Sequence, residues 1–240
     1  MERVFGCDIS TWQDRNDTAQ KVDFKKMMAA GAGFVFCRAS FGLYPDTDFA
    51  DYWTAAKAAG IPRGAYTFPL TTLPMASQIQ KFIDLIKADP GELPPVLDIE
   101  KYQGTVPGRA AIKTAIKMLE DAFGKKPIIY TNYYVWRDDV KGTEDSYFGN
   151  YPLWLAWYAA EQNVKVPKPW TGWTFWQYTD KGDGPKFGVE SLNVDMDYFM
   201  GDQDAFDKYL GRETAAPVVG ELSLEEKLER LWGAHPELHQ

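Results

Sequence analysis

Two carboxylates stand two residues apart at the end of a short apolar run, Pro94-Pro95-Val96-Leu97-Asp98-Ile99-Glu100. An apolar run of this length, bounded by turn residues, is typical of a buried strand. Because side chains alternate along a strand, Asp98 and Glu100 point the same way, with Cα atoms about 6.6 Å apart. Two like charges at the end of an apolar strand are unfavourable unless they are paired, protonated or used in chemistry. A merely solvated pair in an acidic protein is the alternative.

A clustered pair of carboxylates fits two chemistries. In glycoside hydrolysis, a protonated acid donates to the leaving oxygen while a second carboxylate stabilises charge at the sugar carbon. Alternatively, carboxylate oxygens bind a hard cation such as calcium or magnesium. Zinc is disfavoured because no His or Cys pattern lies near the pair. A serine or cysteine nucleophile is disfavoured because the two histidines, His235 and His239, lie in the C-terminal tail.

Strand-like and helix-like segments alternate along the chain, which implies a parallel α/β sheet. Helices are predicted over Phe24 to Ala30, Asp48 to Ala59, Met75 to Lys87 and Arg109 to Phe123. The eight predicted strands are Val4 to Ile9, Gly33 to Ala39, Arg63 to Phe68, Val96 to Glu100, Lys126 to Thr131, Leu153 to Trp157, Thr174 to Tyr178 and Val194 to Tyr198. Eight strands closing on themselves imply a barrel of the triosephosphate-isomerase (TIM) type. The last three units lack convincing helices.

A closed barrel would bring carboxylates from three strands to one rim. Functional residues of such barrels lie at the C-terminal ends of the strands. The first strand ends near Asp8, and the eighth, its neighbour in the barrel, carries Asp195 or Asp197. Aromatic residues at the other strand ends would surround these carboxylates: Tyr66, Phe68, Tyr130, Tyr158 and Tyr178.

Composition narrows the class of partner. The formal net charge of −8 argues against a nucleic acid. Aromatic residues make up 15% of the chain, more than a core requires, and flat aromatic faces are typical of sugar-binding clefts. The two cysteines, Cys7 and Cys37, lie within predicted strands and are expected to be buried thiols. No apolar run suits a membrane span, so no membrane insertion is expected.

Eight short segments, in the same order along residues 4 to 200, resemble motifs of glycoside hydrolase family 25, the Chalaropsis-type lysozymes and phage endolysins. Each motif is weak alone, and their combination is specific. The segments are Gly6 to Gln13, Phe34 to Ser40, Ala59 to Tyr66, Leu97 to Glu100, Pro127 to Thr131, Leu153 to Ala156, Phe175 to Tyr178 and Val194-Asp195. One departure is Thr67, where the family commonly has His. Strand alternation turns Thr67 away from the mouth, so the departure concerns packing rather than catalysis.

The resemblance implies a modified TIM-type barrel of five β/α units followed by three strands. It also implies a β-1,4-N-acetylmuramidase that cuts peptidoglycan between N-acetylmuramic acid and N-acetylglucosamine without a cofactor. By motif position Glu100 would be the general acid, which requires a raised pKa. Asp98 would be the second catalytic carboxylate. Retention of configuration is implied, with the substrate N-acetyl oxygen as nucleophile and Asp98 orienting that amide; direct attack by Asp98 stays open.

The resemblance also assigns roles around this pair. Asp8 and Asp195 match two further acidic positions, and Asp197 is then expected to be solvated. Trp154 and Trp176 are expected in the core, and no metal ligand is predicted. A non-catalytic wall-binding barrel and a metal-dependent hydrolase are the alternatives. The predicted substrate-binding residues are Tyr66, Phe68, Tyr130, Tyr158 and Gln177, the last of which could instead hold a loop.

The predicted domains are a catalytic barrel over residues 1–211, a linker over 212–222 and a helical tail over 223–240. Ser223 to Glu226 form a capping box, followed by an apolar helical face. This helix is expected to pack on the barrel or to mediate self-association; a wall-targeting appendage is the alternative. No signal peptide precedes the first strand. Synthesis in the cytoplasm with phage-type release to the cell wall is therefore expected, a secreted autolysin being the alternative.

Overall fold

The computed structural model describes residues 2–14, 22–140 and 145–212. The predicted tail helix and all but the first residue of the predicted linker lie outside these ranges. The chain divides into two compact units, residues 1–203 and 204–240. Within the described ranges, no helix has both the length and the apolar character needed to cross a membrane.

In the described part of the chain, nine strands form one sheet, and eight of them close into a barrel. The strands are β1 (Phe5–Ile9), β2 (Phe34–Phe41), β3 (Tyr44–Pro45), β4 (Arg63–Phe68), β5 (Val96–Ile99), β6 (Ile128–Asn132), β7 (Leu153–Ala156), β8 (Phe175–Asp183) and β9 (Asn193–Phe199). Their order is β1-β9-β8-β7-β6-β5-β4-β2, and a β1–β2 pairing closes the ring. The predicted modified TIM-type barrel is confirmed. The two-residue strand β3, which pairs only with the end of β2, was too short to be recognised.

The direction of β9 differs from the prediction of a parallel sheet. β9 runs antiparallel to both of its neighbours, β8 and β1, whereas the other barrel strands pair in parallel. The connection from Gly184 to Leu192 contains only a 3-10 turn, Pro185–Phe187. A parallel crossover takes about a dozen residues or more. The short connection therefore forms a hairpin, and β9 runs in the opposite direction to the other barrel strands.

Four helices cover the first half of the barrel close to their predicted limits: α1 (Phe24–Ala29), α2 (Phe49–Ala59), α3 (Met75–Ile86) and α4 (Arg109–Phe123). α2 ends at Gly60 and α4 at Gly124, both with the positive φ that glycine adopts without strain. After β6 the described residues form a short π-helical turn, Val135–Val140, and a 3-10 turn, Phe148–Asn150. A further helix, α5 (Gln203–Tyr209), was not predicted; near its end Arg212 pairs with Asp207 at 3.3 Å.

The barrel interior is filled by aromatic rings below the mouth. Phe36 stacks on Trp154 with ring centroids 4.3 Å apart, and Phe175 packs edge-on against Phe36 and Phe34 at 5.1 and 5.2 Å. A Cβ at Gly6 would lie 2.4 to 2.6 Å from atoms of Phe34, so only glycine leaves room for that ring. The aromatic layer closes the barrel below the mouth, so the upper half can hold polar groups without opening a channel.

A second apolar layer lies between the strands and the helices. Alternation sends the other strand residues outward, and in α4 the buried residues Ile112, Ala115, Ile116 and Leu119 recur at helical spacing. Cys7 and Cys37 belong to this layer as free, fully buried thiols, as predicted.

Thr67 also points away from the mouth. It is fully buried and shares a hydrogen bond of 2.8 Å with Ser40 on β2. The departure from the family motif therefore affects contacts between two strands.

Candidate active site

A cavity of about 630 Å³ opens at the end of the barrel where the parallel strands finish. A second hollow of about 470 Å³ adjoins it and shares Glu100, Tyr130 and Tyr158 with it. Glu100 therefore lies between two hollows, as expected of a groove that holds a chain on both sides of a reacting bond. All nine predicted site residues line the larger cavity: Asp8, Tyr66, Phe68, Asp98, Glu100, Tyr130, Tyr158, Gln177 and Asp195.

Asp98 and Glu100 stand on the same side of the chain at the end of β5. Asp98 is buried, and its Oδ1 has no hydrogen-bond partner among the described residues. Burial raises the pKa of Asp98, the charge of Glu100 raises it further, and the Arg38 guanidinium opposes both. Burial also raises the pKa of Glu100, against a hydrogen bond with Tyr130 that lowers it. Two buried carboxyls this close favour a state in which one of them keeps a proton.

Asp8 and Asp195 face each other across the β1–β9 ladder. Asp195 is close to the start of β9, and the antiparallel direction of that strand brings its start, not its end, to the rim. The rule that functional residues lie at the C-terminal ends of barrel strands therefore predicted the correct rim for Asp195, although β9 reaches that rim with its N-terminal end. Burial raises the pKa of Asp195 to about 6, helped by the charges of Asp180 and Glu100. Burial also raises the pKa of Asp8, followed by the charge of Asp195.

The prediction that Asp197 is solvated is wrong. Asp197 has no exposed surface, and its Oδ1 accepts a hydrogen bond from Trp154 Nε1 at 2.7 Å. Residues two apart on a strand share a face, so Asp197 points into the barrel like Asp195, one step deeper. Trp154 is buried as expected, and it also forms the floor of the cavity.

Gln177 connects the acidic side of the cavity to two tyrosines. Its Nε2 donates to Asp8 Oδ2 at 2.7 Å, and its Oε1 accepts the hydroxyls of Tyr130 at 2.9 Å and Tyr158 at 2.8 Å. Gln177 lies on β8 and is almost completely buried. Both ends of its amide are thus used by protein groups, which fixes Tyr130 next to Glu100.

The predicted aromatic residues differ in what they present to the cavity. Tyr66 is nearly buried and packs edge-on to Trp154 at 6.2 Å, while Phe68 stacks on Phe41 at 5.1 Å. Tyr158 is half exposed and offers its ring to solvent.

Tyr178, also expected at the mouth, lies elsewhere. It stacks on Tyr198 with ring centroids 4.3 Å apart, on the outer face of the β8–β9 hairpin. Since Gln177 points inward, its neighbour must point outward.

Several residues of the cavity were not proposed from the sequence, among them Arg38 and Trp12. Arg38 lines the cavity from β2, where its Nε donates to Asp46 Oδ2 at 2.8 Å. It lies two residues after the inward-facing Phe36, so strand alternation could have identified it. Trp12 follows β1 in a 3-10 turn capped by Ser10, and it is 74% exposed at the rim. A lone exposed aromatic after a strand carries no comparable sequence signal.

The described parts of the chain contain no group of three or more His, Cys, Asp or Glu side chains arranged to hold a metal ion. The cavity is lined by carboxyls with raised pKa values, by the cations Arg38 and Lys101 and by several aromatic faces. Such a site can transfer protons and stabilise positive charge on a bound sugar.

Comparisons with known proteins bear on the fold and the family of the chain. Residues 7–187 match the model of the Glycosyl hydrolases family 25. Lysozyme M1 of Streptomyces globisporus is 29% identical over 214 residues, which cover 82% of this chain and 68% of that protein. The crystal structure of a bacterial lysozyme from Streptomyces coelicolor has a TM-score of 0.73 at 27% identity, covering 88% of this chain and 97% of its own. A muramidase from Trichobolus zukalii has a TM-score of 0.71 at 27% identity, covering 86% and 98%. With most of its barrel matched, the chain belongs to family 25 of the glycosyl hydrolases.

Proposed function

We propose that this chain is a lysozyme-type endo-β-1,4-N-acetylmuramidase, which hydrolyses peptidoglycan between N-acetylmuramic acid and N-acetylglucosamine. The observation that carries the proposal is the pair Asp98 and Glu100, two carboxyls with raised pKa values between two hollows of an aromatic-lined groove. The two similar lysozyme and muramidase structures support the same substrate.

In this proposal Glu100 is the general acid. Its burial keeps a proton on the carboxyl at a pH where an exposed glutamate has lost it. That proton passes to the glycosidic oxygen as the bond from this oxygen to the sugar carbon breaks. The carboxylate left on Glu100 then accepts a proton from the water that completes hydrolysis.

Asp98 acts as the second carboxylate. The nearby Arg38 favours its ionised form. Its Oδ1 is buried and has no partner in the described part of the chain, so it can accept a hydrogen bond from the N–H of the substrate's acetamido group. That contact would orient the amide so that its oxygen attacks the sugar carbon as the glycosidic bond breaks. The acetamido group then forms a positively charged ring with the sugar, and the Asp98 carboxylate stabilises this charge. The configuration at the sugar carbon is retained by this route.

The remaining cavity residues hold the glycan and the acid pair. Asp8 and Asp195 add negative potential on the side of the groove opposite β5, where it stabilises the positive charge that develops on the sugar. The exposed faces of Trp12 and Tyr158 are positioned to stack on sugar rings. Tyr66, Phe68, Tyr130 and Gln177 line the floor, which makes the groove narrow and shields the reacting bond from water.

A reducing-end assay on purified peptidoglycan tests the proposal. Reduction of the digest with borohydride followed by sugar analysis should reveal reduced muramic acid; reduced glucosamine would indicate a glucosaminidase instead. Glu100→Gln should lower kcat by at least about a hundredfold, the usual contribution of a general acid. Glu161→Gln, at an exposed glutamate paired with Arg3 away from the cavity, is the matched control.

Two results would contradict the proposal. Binding to the wall with no new reducing ends would indicate a non-catalytic barrel, and loss of activity in EDTA would indicate a metal-dependent hydrolase. Activity of Glu100→Gln within tenfold of wild type would remove Glu100 as the acid.

A further inference from the structure

Asp197 is a buried carboxyl that the proposed mechanism does not use. It has no exposed surface, and Trp154 Nε1 donates to one of its oxygens, Oδ1, at 2.7 Å. Its other oxygen, Oδ2, is buried without any hydrogen-bond donor among the described residues. A buried oxygen of a charged group without a donor is strongly unfavourable, so this atom requires an explanation.

The carboxyl of Asp8 lies within hydrogen-bonding reach of Asp197. In the β1–β9 ladder Asp197 stands opposite Gly6, and Asp8 stands opposite Asp195, so Asp8 and Asp197 are diagonal neighbours on the inward face. Gly6 has no side chain to separate them. Since ionised carboxylates only accept hydrogen bonds, two of them can be joined only if a proton lies between them.

The surroundings provide no cation for a second negative charge. Among the residues that the structure describes, no lysine or arginine forms an ion pair with Asp8 or Asp197, and Arg38 is bonded to Asp46. Trp154 from β7 and Gln177 from β8 contribute neutral donors. Burial raises the pKa of both carboxyls, and the charge of Asp195 raises both further. The interaction between the two groups raises the pKa of Asp8 and lowers that of Asp197, as expected when Asp8 is the donor. The titratable groups facing the pair from the packed elements are Asp195, Asp98, Glu100, Tyr66, Tyr130 and Tyr158.

We propose that Asp8 and Asp197 share one proton at neutral pH, and that this acid–carboxylate hydrogen bond makes Asp197 a positioning residue for the active site. The pair then carries a single negative charge. The shared proton satisfies Asp197 Oδ2 and holds the Asp8 carboxyl so that its Oδ2 faces Gln177. Gln177 in turn orients the hydroxyls of Tyr130 and Tyr158 beside Glu100. Asp197 thus acts on Glu100 through Asp8, Gln177 and Tyr130 in turn, without touching substrate.

The proton can be observed directly by carbon NMR on protein labelled at the aspartate carboxyl carbons. At pH 7 the wild-type chain should show one protonated aspartic carboxyl that is absent from both Asp197→Asn and Asp8→Asn. In either variant the asparagine Nδ2 replaces the shared proton as donor, and the remaining carboxyl ionises. Asparagine also keeps the oxygen that accepts from Trp154 or from Gln177, so both variants preserve the contacts of the fold.

Three outcomes would overturn the proposal. If wild type shows no protonated aspartate at pH 7, there is no shared proton, and this result needs no variant. If the signal persists in Asp8→Asn, the proton belongs to Asp197 alone. If it persists in Asp197→Asn, the proton belongs to another carboxyl.

The positioning role is tested by activity, and this part rests on the proposed function. Asp197→Leu removes both the bond to Asp8 and the acceptor of Trp154. It should lower kcat by on the order of tenfold to a hundredfold relative to Asp197→Asn, because the tyrosines beside Glu100 lose their fixed orientation. Equal kcat values for the two variants would refute the role. If wild type does not cleave peptidoglycan, the proposed function fails, while the NMR measurement still decides whether the proton is shared.

Discussion

The orientation of the Gln177 amide can be tested by changing one atom group. Gln177→Glu keeps the shape of the side chain and an oxygen that accepts from Tyr130 and Tyr158. It replaces the Nε2 that donates to Asp8 Oδ2 at 2.7 Å by a second oxygen. When protonated, the new carboxyl can still donate to Asp8 through its O–H. When ionised, it would place a buried negative charge against Asp8.

The expected size of the effect follows from linkage between protonation and folding. The folded-state pKa of the introduced glutamate is raised far above its unfolded value of about 4.3, since burial and Asp8 both oppose its charge. The folded state therefore binds more protons than the unfolded state, and stability falls as the pH rises above about 4.3. The loss is about 1.4 kcal/mol per pH unit, which amounts to roughly 3 to 4 kcal/mol at pH 7 if the group stays protonated.

Urea unfolding of wild type and variants between pH 4 and pH 8 measures this difference. Gln80→Glu is the matched control, because Gln80 also donates to an aspartate, Asp84 at 3.2 Å, but on the exposed surface of α3. The control should differ from wild type by about 0.5 kcal/mol or less at every pH. A difference between Gln177→Glu and wild type that does not change with pH would refute the orientation of the Gln177 amide and the network built on it.

Three further predictions concern separate parts of the barrel. Arg38→Gln removes the charge that lowers the pKa of Asp98, so the acidic limb of the pH–rate profile should move up by about one pH unit. An acidic limb that stays in place would show that Arg38 does not influence the carboxyl that limits the rate. Trp12→Ala should raise KM by up to about tenfold at unchanged Tm through lost stacking, whereas Tyr44→Ala, equally exposed but outside the cavity, should leave KM unchanged. Arg63→Met should lower the free energy of unfolding, measured by urea denaturation, by about 3 kcal/mol, because Arg63 is fully buried and pairs with Asp89 and Glu92. A loss below about 1 kcal/mol would show that these ion pairs contribute little to stability.

Much of the barrel could be predicted because its signals are local. α4 begins and ends where its apolar spacing and Gly124 indicated, and Asp98 and Glu100 share a face because alternation is a property of every strand. The order of the strand ends then brought Asp8 to the same rim. None of these predictions depends on the detailed pairing between strands.

The errors arose where a distant pairing decides the outcome. Asp197 was expected to be solvated because motif position favoured Asp195 for the site, but its environment is set by β1 and β8, which stand on either side of it. Tyr178 was placed at the mouth by position alone, although the inward direction of Gln177 excludes it. The partners of the Gln177 amide come from β1, β6 and the segment after β7, and no local pattern identifies them.

The inverted strand β9 explains why these errors cluster on one side of the site. A parallel eighth strand would bring its end to the rim, and Asp197 would then lie nearer to solvent than Asp195. In the antiparallel strand the order is reversed, so Asp195 reaches the cavity and Asp197 lies below it, against Trp154. The same reversal puts Asp197 beside the Asp8 carboxyl. The hairpin at the end of the barrel therefore determines which acidic residue faces the cavity and which one lies below it beside Asp8.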